Sequence, residues 1–250
     1  MKEHERTNLD NVLNDILIYL HPDWLIPSYV DKVDNTGVDK KKLEKYFQIL
    51  TNINYFYKKV LRYETYFTYF YPESKEINNA EALEYHIYSY LETFDILRNK
   101  IVAFLGTLKN DLKVIAQNKQ EIDQALKQFI AKIEETFNGV KDQRHPHHHT
   151  GYRFLNNDIV DATAYLMMLK DDFPMKDMIN TQELEKRTEK SLEKAKQDYI
   201  DLSVKNSEQV TGLINTVFEK NSNFIYTILN IKHLVLNELK NEKDEQTSTD

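Results

Sequence analysis

The chain has no cysteine, and only 5 glycines and 5 prolines in 250 residues. Without thiols there can be no disulfide, zinc–thiolate site, iron–sulfur cluster or thiol nucleophile, and the composition fits a reducing compartment. Scarce glycine and proline mean few turns and long elements. They argue against a β-sandwich or barrel, which needs turn signals every ~8–12 residues. No two glycines lie close together, so the usual dinucleotide and phosphate-loop fingerprints are missing. Long apolar runs are missing too: stretches such as Ala164 to Leu169 fall far short of a membrane span. The opening MKEHERTN lacks the apolar core of a secretion signal. A cytoplasmic protein with no membrane partner is expected.

Hydrophobic residues make up 41% of the chain, enough for a sizeable core. The 33 Lys and Arg face 40 Asp and Glu, a net charge of −7. Such a balance does not suit a general nucleic-acid binder, so any site for a polyanion has to be local.

The apolar residues recur at helical spacing throughout. Leu9, Val12, Leu13, Ile16, Leu17 and Leu20 predict a helix over 8–20, ended by Pro22. A connector over 21–38 follows, with Trp24 and Ile26 expected to anchor it. A long helix is predicted from Asp39 to about Phe70, crowded with Tyr and Phe. Its rings could stack bases, or they could simply fill a core. A helix from about Ala80 to Leu105 comes next, with Gly106 a candidate bend or stop. Another follows, from near Leu112 to Gly139. Asp158 is a candidate cap, with Asp161 three residues later, for a short helix to Leu169. Asp171 to Asn180 reads as a loop. A charged helix runs from Thr181 to about Lys220, and a last one from Asn223 to Leu239. The tail 241–250 has no apolar content and is expected to be disordered. The fold class is therefore all-α: a bundle of about six to seven helices in one domain over 1–240.

The least ordinary stretch is 139–157, GVKDQRHPHHHTGYRFLNN. His145, His147, His148 and His149 crowd around Pro146. Imidazole is a common metal ligand, and His145 and His149 stand at i, i+4. Pro146 works against a shared helical face, because the residue before proline avoids the α region. No carboxylate lies within the run, so no metal site or cofactor is assigned. A polar surface loop is the plain alternative.

A third reading uses Arg144 and His149, with four residues between them and a polar residue after the arginine. This resembles the R-polar-x-x-x-H motif of the HEPN superfamily, all-helical proteins many of which are metal-independent RNases. The resemblance covers about residues 40–170, a HEPN-like core with extra terminal helices. It implies catalytic roles for Arg144 and His149, and RNA as substrate. His145, Lys141 and Arg153 would bind phosphate. It also implies a homodimer, because two motifs usually form one composite cleft. A stress or phage-defence effector is the broader role suggested. A second stretch, Arg98-Asn99-Lys100-Ile101-Val102-Ala103-Phe104, partly matches an R-N-K-x-x-A-H pattern of the same superfamily. Phe104 replaces its histidine, so Arg98 is read as pairing with a carboxylate or snorkelling. Two other functions remain open: a non-catalytic helical interaction protein, including a degenerate HEPN domain, and a histidine-cluster metal-binding module.

Overall fold

The computed structural model describes residues 6–25, 33, 35–73, 76–137 and 156–233. These residues form an all-α protein, with no strand among them. The helices are α1 (Asn8–Leu20), α2 (Lys40–Leu61), α3 (Tyr63–Tyr69), α4 (Asn79–Ile115), α5 (Lys119–Thr136), α6 (Asn157–Met168) and α7 (Thr181–Leu229).

Their starts are written in short polar side chains. A free helix N-terminus leaves four N–H groups unpaired, and Thr, Asp or Asn can accept from them. Thr7 caps α1 through a reciprocal box with Asp10. Asp39 accepts from the Lys42 N–H at 3.2 Å to open α2. Asn78 and Glu81 bond reciprocally to open α4. At the start of α5 Asn118 Oδ1 accepts from the Glu121 N–H, while its Nδ2 donates to the Glu121 carboxylate. Asn156 caps α6 and Asn180 opens α7.

The chain forms two compact units, Met1–Asn54 with Phe104–Leu126 and Leu213–Asp250, and Tyr55–Ala103 with Lys127–Gly212. In the first unit α1 buries Leu9, Val12 and Ile16, while α2 buries Leu43, Tyr46 and Leu50. Phe104 lies at the centre, edge-on to Tyr46 at 6.4 Å and stacked on Phe218 at 5.5 Å. Asn230, in the left-handed region at φ 52°, ends α7. The Ile231 N–H reaches the Tyr226 carbonyl and the Asn230 N–H the Thr227 carbonyl, the pairing that closes a helix through one left-handed residue.

In the second unit the core is aromatic. Tyr57, Tyr63, Phe67 and Tyr90 are buried, with Phe67 against both Tyr90 and Tyr199. Their hydroxyls are matched: Tyr63 to Ser89 and Thr93, Tyr90 to Asn206, Tyr57 to Thr211. A buried hydroxyl left without a partner costs about 1–3 kcal/mol, so these pairings let tyrosine serve as core.

Several boundaries differ from the sequence expectation. Gly106 neither stops nor separates helices; α4 runs through it, so Leu112 and Ile115 belong to α4. The break comes at 116–118 instead. The two helices expected over 181–239 are one helix to Leu229. The helix expected over 39–70 divides at Arg62 into α2 and α3. Trp24 is no anchor: it is 67% exposed and stacks on His21 at 4.1 Å. Asp158 is not the cap of α6; Asn156 is, and Asp158 instead accepts from Lys194 at 2.9 Å. The tail 241–250 and Ile26 lie outside the described residues.

Candidate functional site

In sequence the Arg144–His149 segment lies between α5 and α6, within the range Lys127–Gly212 of the second unit. Phe137 closes α5: its N–H bonds to the Ile133 and Glu134 carbonyls, and its ring packs on Phe94 of α4 at 6.2 Å. At the other end Asn156 Oδ1 accepts from the Ile159 N–H at 3.2 Å. Ile159 and Ala162 are buried, which seats α6 in the unit. Lys141, Arg144, His145, His149 and Arg153 themselves lie outside the described residues, as do Pro146, His147 and His148. What the structure supplies is the pair of anchored ends, Phe137 and Asn156, both in the second unit.

Lys194 contributes a cation beside the start of α6. It donates to both Asp158 oxygens, at 3.1 and 2.9 Å, and this hydrogen bond with the attendant charge raises its pKa.

Arg98 lies one helical turn beyond Phe94 on α4. It pairs with Asp95 at 3.0 Å and donates to Asn99 Oδ1 at 2.9 Å, while Asn99 donates to Asp95 at 3.3 Å. The carboxylate pairing expected for Arg98 is thus present. Its Nε is buried without a hydrogen-bond partner among the described residues. Phe104, where the partial motif would need a histidine, is fully buried in the first unit and works as core.

Sequence reasoning did not find the polar cluster of the first unit. Asp15 is buried on α1. Its Oδ2 accepts from the Tyr226 hydroxyl at 2.7 Å and lies 2.7 Å from His233 Nδ1. The Tyr226 and His233 rings stack at 5.6 Å. Burial, and then the hydrogen bond to the Asp15 carboxylate and its charge, raise the Tyr226 pKa. Asp15 falls among apolar helix positions, and that break in pattern was the one local signal.

The second unit also holds a small open cavity of about 190 Å³, lined by Tyr71, Leu83, Leu192, Glu189, Glu193 and Lys196, with Asn79 at its edge. Lys196 sits over the Tyr71 ring at 5.6 Å. Burial and the nearby Glu193 charge push the Tyr71 hydroxyl up to about 12. Among the described residues no group of three or more His, Asp or Glu is placed to hold a metal ion. None of the helices among them is long and apolar enough to cross a membrane.

No protein-family model, no curated protein and no solved structure significantly matches the chain.

Proposed function

We propose that this protein is a HEPN-like endoribonuclease that cleaves RNA through the substrate's own 2′-hydroxyl, without a metal. One observation carries the reading: in the sequence of an all-α chain, Arg144 and His149 stand with four residues between them, after α5 and before α6. RNA brings its own nucleophile. The enzyme has only to remove the 2′-proton, stabilise the pentacoordinate phosphorus and protonate the leaving 5′-oxygen. Histidine titrates near neutral pH and can carry either proton, which is worth roughly 10²- to 10⁴-fold. A guanidinium stays charged and can hold two phosphoryl oxygens at once.

In this proposal Arg144 clamps the phosphate and His149 does acid–base work. His145, Lys141 and Arg153 bind the flanking backbone and supply the local positive charge that an acidic chain otherwise lacks. The resemblance adds a homodimer in which two copies of the segment form one cleft, and a role in stress or phage defence; the compartment proposed from the sequence is the cytoplasm.

The deciding experiment is RNA cleavage in EDTA by wild type, Arg144→Ala and His149→Ala, with end-group analysis. The proposal expects 2′,3′-cyclic phosphate ends from wild type and loss of cleavage in both variants. Cleavage that disappears in EDTA and returns with zinc would transfer the histidine run to the metal-binding reading. If no RNA is cut under either condition, a non-catalytic helical interaction protein is the better account.

A further inference from the structure

The aromatic crowding of α2 and α3 divides by face. Tyr57, Tyr63 and Phe67 point inward and are buried. The opposite face carries Tyr55, Lys59, Arg62, Tyr66 and Tyr69, stepping by four, three, four and three residues. That spacing keeps side chains on one helical stripe. The break at Arg62 does not interrupt it: Arg62 stays right-handed helical at φ −89°, its N–H bonds to the Lys59 carbonyl and its carbonyl takes the Tyr66 N–H. Tyr55 is 62% exposed and Tyr69 is 76% exposed, with Phe70 beside it at 58%.

The stripe ends in a built aromatic patch. His86 of α4 hydrogen-bonds the Phe70 carbonyl, lies nearly parallel to Tyr66 at 6.4 Å and meets the ring of Tyr85 at 6.0 Å. Tyr85 is itself 69% exposed. Scattered exposed rings need no explanation, but a contiguous set held by its own packing marks a binding surface.

Charge selects the occupant. Between Tyr55 and Tyr71 the chain carries Lys58, Lys59 and Arg62 against a single carboxylate, Glu64, in a protein whose net charge is −7. Rings interleaved with cations suit a flexible polyanion with planar faces: cations track the phosphates and rings stack on bases. At 1.5 Å rise per residue, Tyr55 to Tyr69 spans roughly 20 Å, room for several nucleotides. A duplex hides its base faces and cannot use the rings.

We infer that the outward stripe of α2 and α3, from Tyr55 through Arg62 to Tyr69 and the His86 patch, binds single-stranded RNA and guides it on the enzyme. The inference rests on the nuclease reading only for the choice of RNA among single-stranded polyanions.

The test is fluorescence anisotropy with a 5′-labelled 12-residue oligouridine and, separately, a 12-base-pair RNA duplex. Full-length protein carries His149→Ala, so that binding is read without cleavage. The parent protein should prefer the single strand. Tyr69→Ala should weaken its binding about tenfold, within the range for one lost base stack. Tyr69→Phe should restore it, because the ring is what stacks. Arg62→Gln should reduce the slope of log affinity against log salt by about 0.7. Circular dichroism of each variant should match wild type, since the residues are exposed.

Equal affinity for duplex and single strand would overturn the inference, and so would binding by Tyr55→Ala/Arg62→Gln/Tyr69→Ala within twofold of the parent. The nuclease reading fails separately: oligouridine bound through this face but never cut by the His149-intact protein leaves the surface standing and removes the enzyme.

Discussion

Asp15 of α1 and His233, just beyond α7, meet at 2.7 Å through Oδ2 and Nδ1. The same oxygen takes the Tyr226 hydroxyl at 2.7 Å. The Lys232 N–H donates to the Tyr19 hydroxyl at 3.1 Å, so the chain leaving α7 is fastened to α1 at two points. Removing the carboxylate leaves the Tyr226 hydroxyl without its 2.7 Å acceptor. Asp15→Ala is expected to lower unfolding free energy by about 2–3 kcal/mol, and His233→Ala, on the half-exposed side, by about 1 kcal/mol. Urea denaturation of both variants measures this; equal losses would show that the histidine carries more than an exposed contact.

Alkaline pH should weaken the protein through its tyrosines. Tyr71 is pushed up to about 12 by burial and by Glu193, so the folded state holds a proton that the unfolded chain releases near pH 10. Its contribution is complete below about pH 10 and is lost as pH rises to about 12. Burial raises Tyr46, Tyr63, Tyr90, Tyr199 and Tyr226 as well. Absorbance at about 295 nm, followed at rising pH, should therefore show these raised tyrosines ionising only with loss of helical signal. Tyr71→Phe should lose less stability than wild type between about pH 10 and 12.

Glycine substitutions separate two uses of the residue. A Cβ on Gly106 or Gly212 would meet nothing within 4 Å. Both are interior to helices, where glycine costs about 0.5–1 kcal/mol relative to alanine. Gly106→Ala and Gly212→Ala should each raise thermal stability by that amount. Gly37 is the opposite case: φ is +75° and its Cβ would stand 3.1 Å from Asn230 Nδ2, which itself donates to the Thr36 carbonyl. Gly37→Ala should cost about 1–2 kcal/mol. A scanning calorimetry series on the three variants checks both signs.

The nuclease reading makes a prediction about assembly and pH. Wild type should sediment as a dimer at micromolar concentration. Cleavage should weaken below about pH 6 as His149, acting as base, takes up a proton. Arg144→Ala should abolish cleavage without shifting the unfolding midpoint. His148→Ala should cost less than His149→Ala, because only His149 stands with four residues between itself and Arg144. A monomer in sedimentation, or equal losses in the two histidine variants, would count against the composite cleft.

The local sequence carries the helical character and most starts. Thr7, Asp39, Asn78, Asn118 and Asn180 cap because short polar side chains reach N–H groups within three residues, an interaction complete within one turn. The period of the apolar residues carries the inward faces for the same reason. Of the candidate site, the sequence displays the Arg144–His149 spacing and the local positive charge. The residues between Phe137 and Asn156 lie outside those the structure describes. Tertiary packing decided what local preference left balanced. Gly106 looks like a stop, but Ile101, Leu105, Leu108 and Leu112 are buried on both sides of it. Burying each is worth about 1.5–3 kcal/mol, more than glycine's cost, so α4 continues. The partnership of Asp15 with Tyr226 and His233, and the division of the aromatic run into a core face and an exposed stripe, follow from which surfaces meet in space. Contacts between residues more than two hundred positions apart in the chain are made by the assembled helices and have no signature in either segment alone.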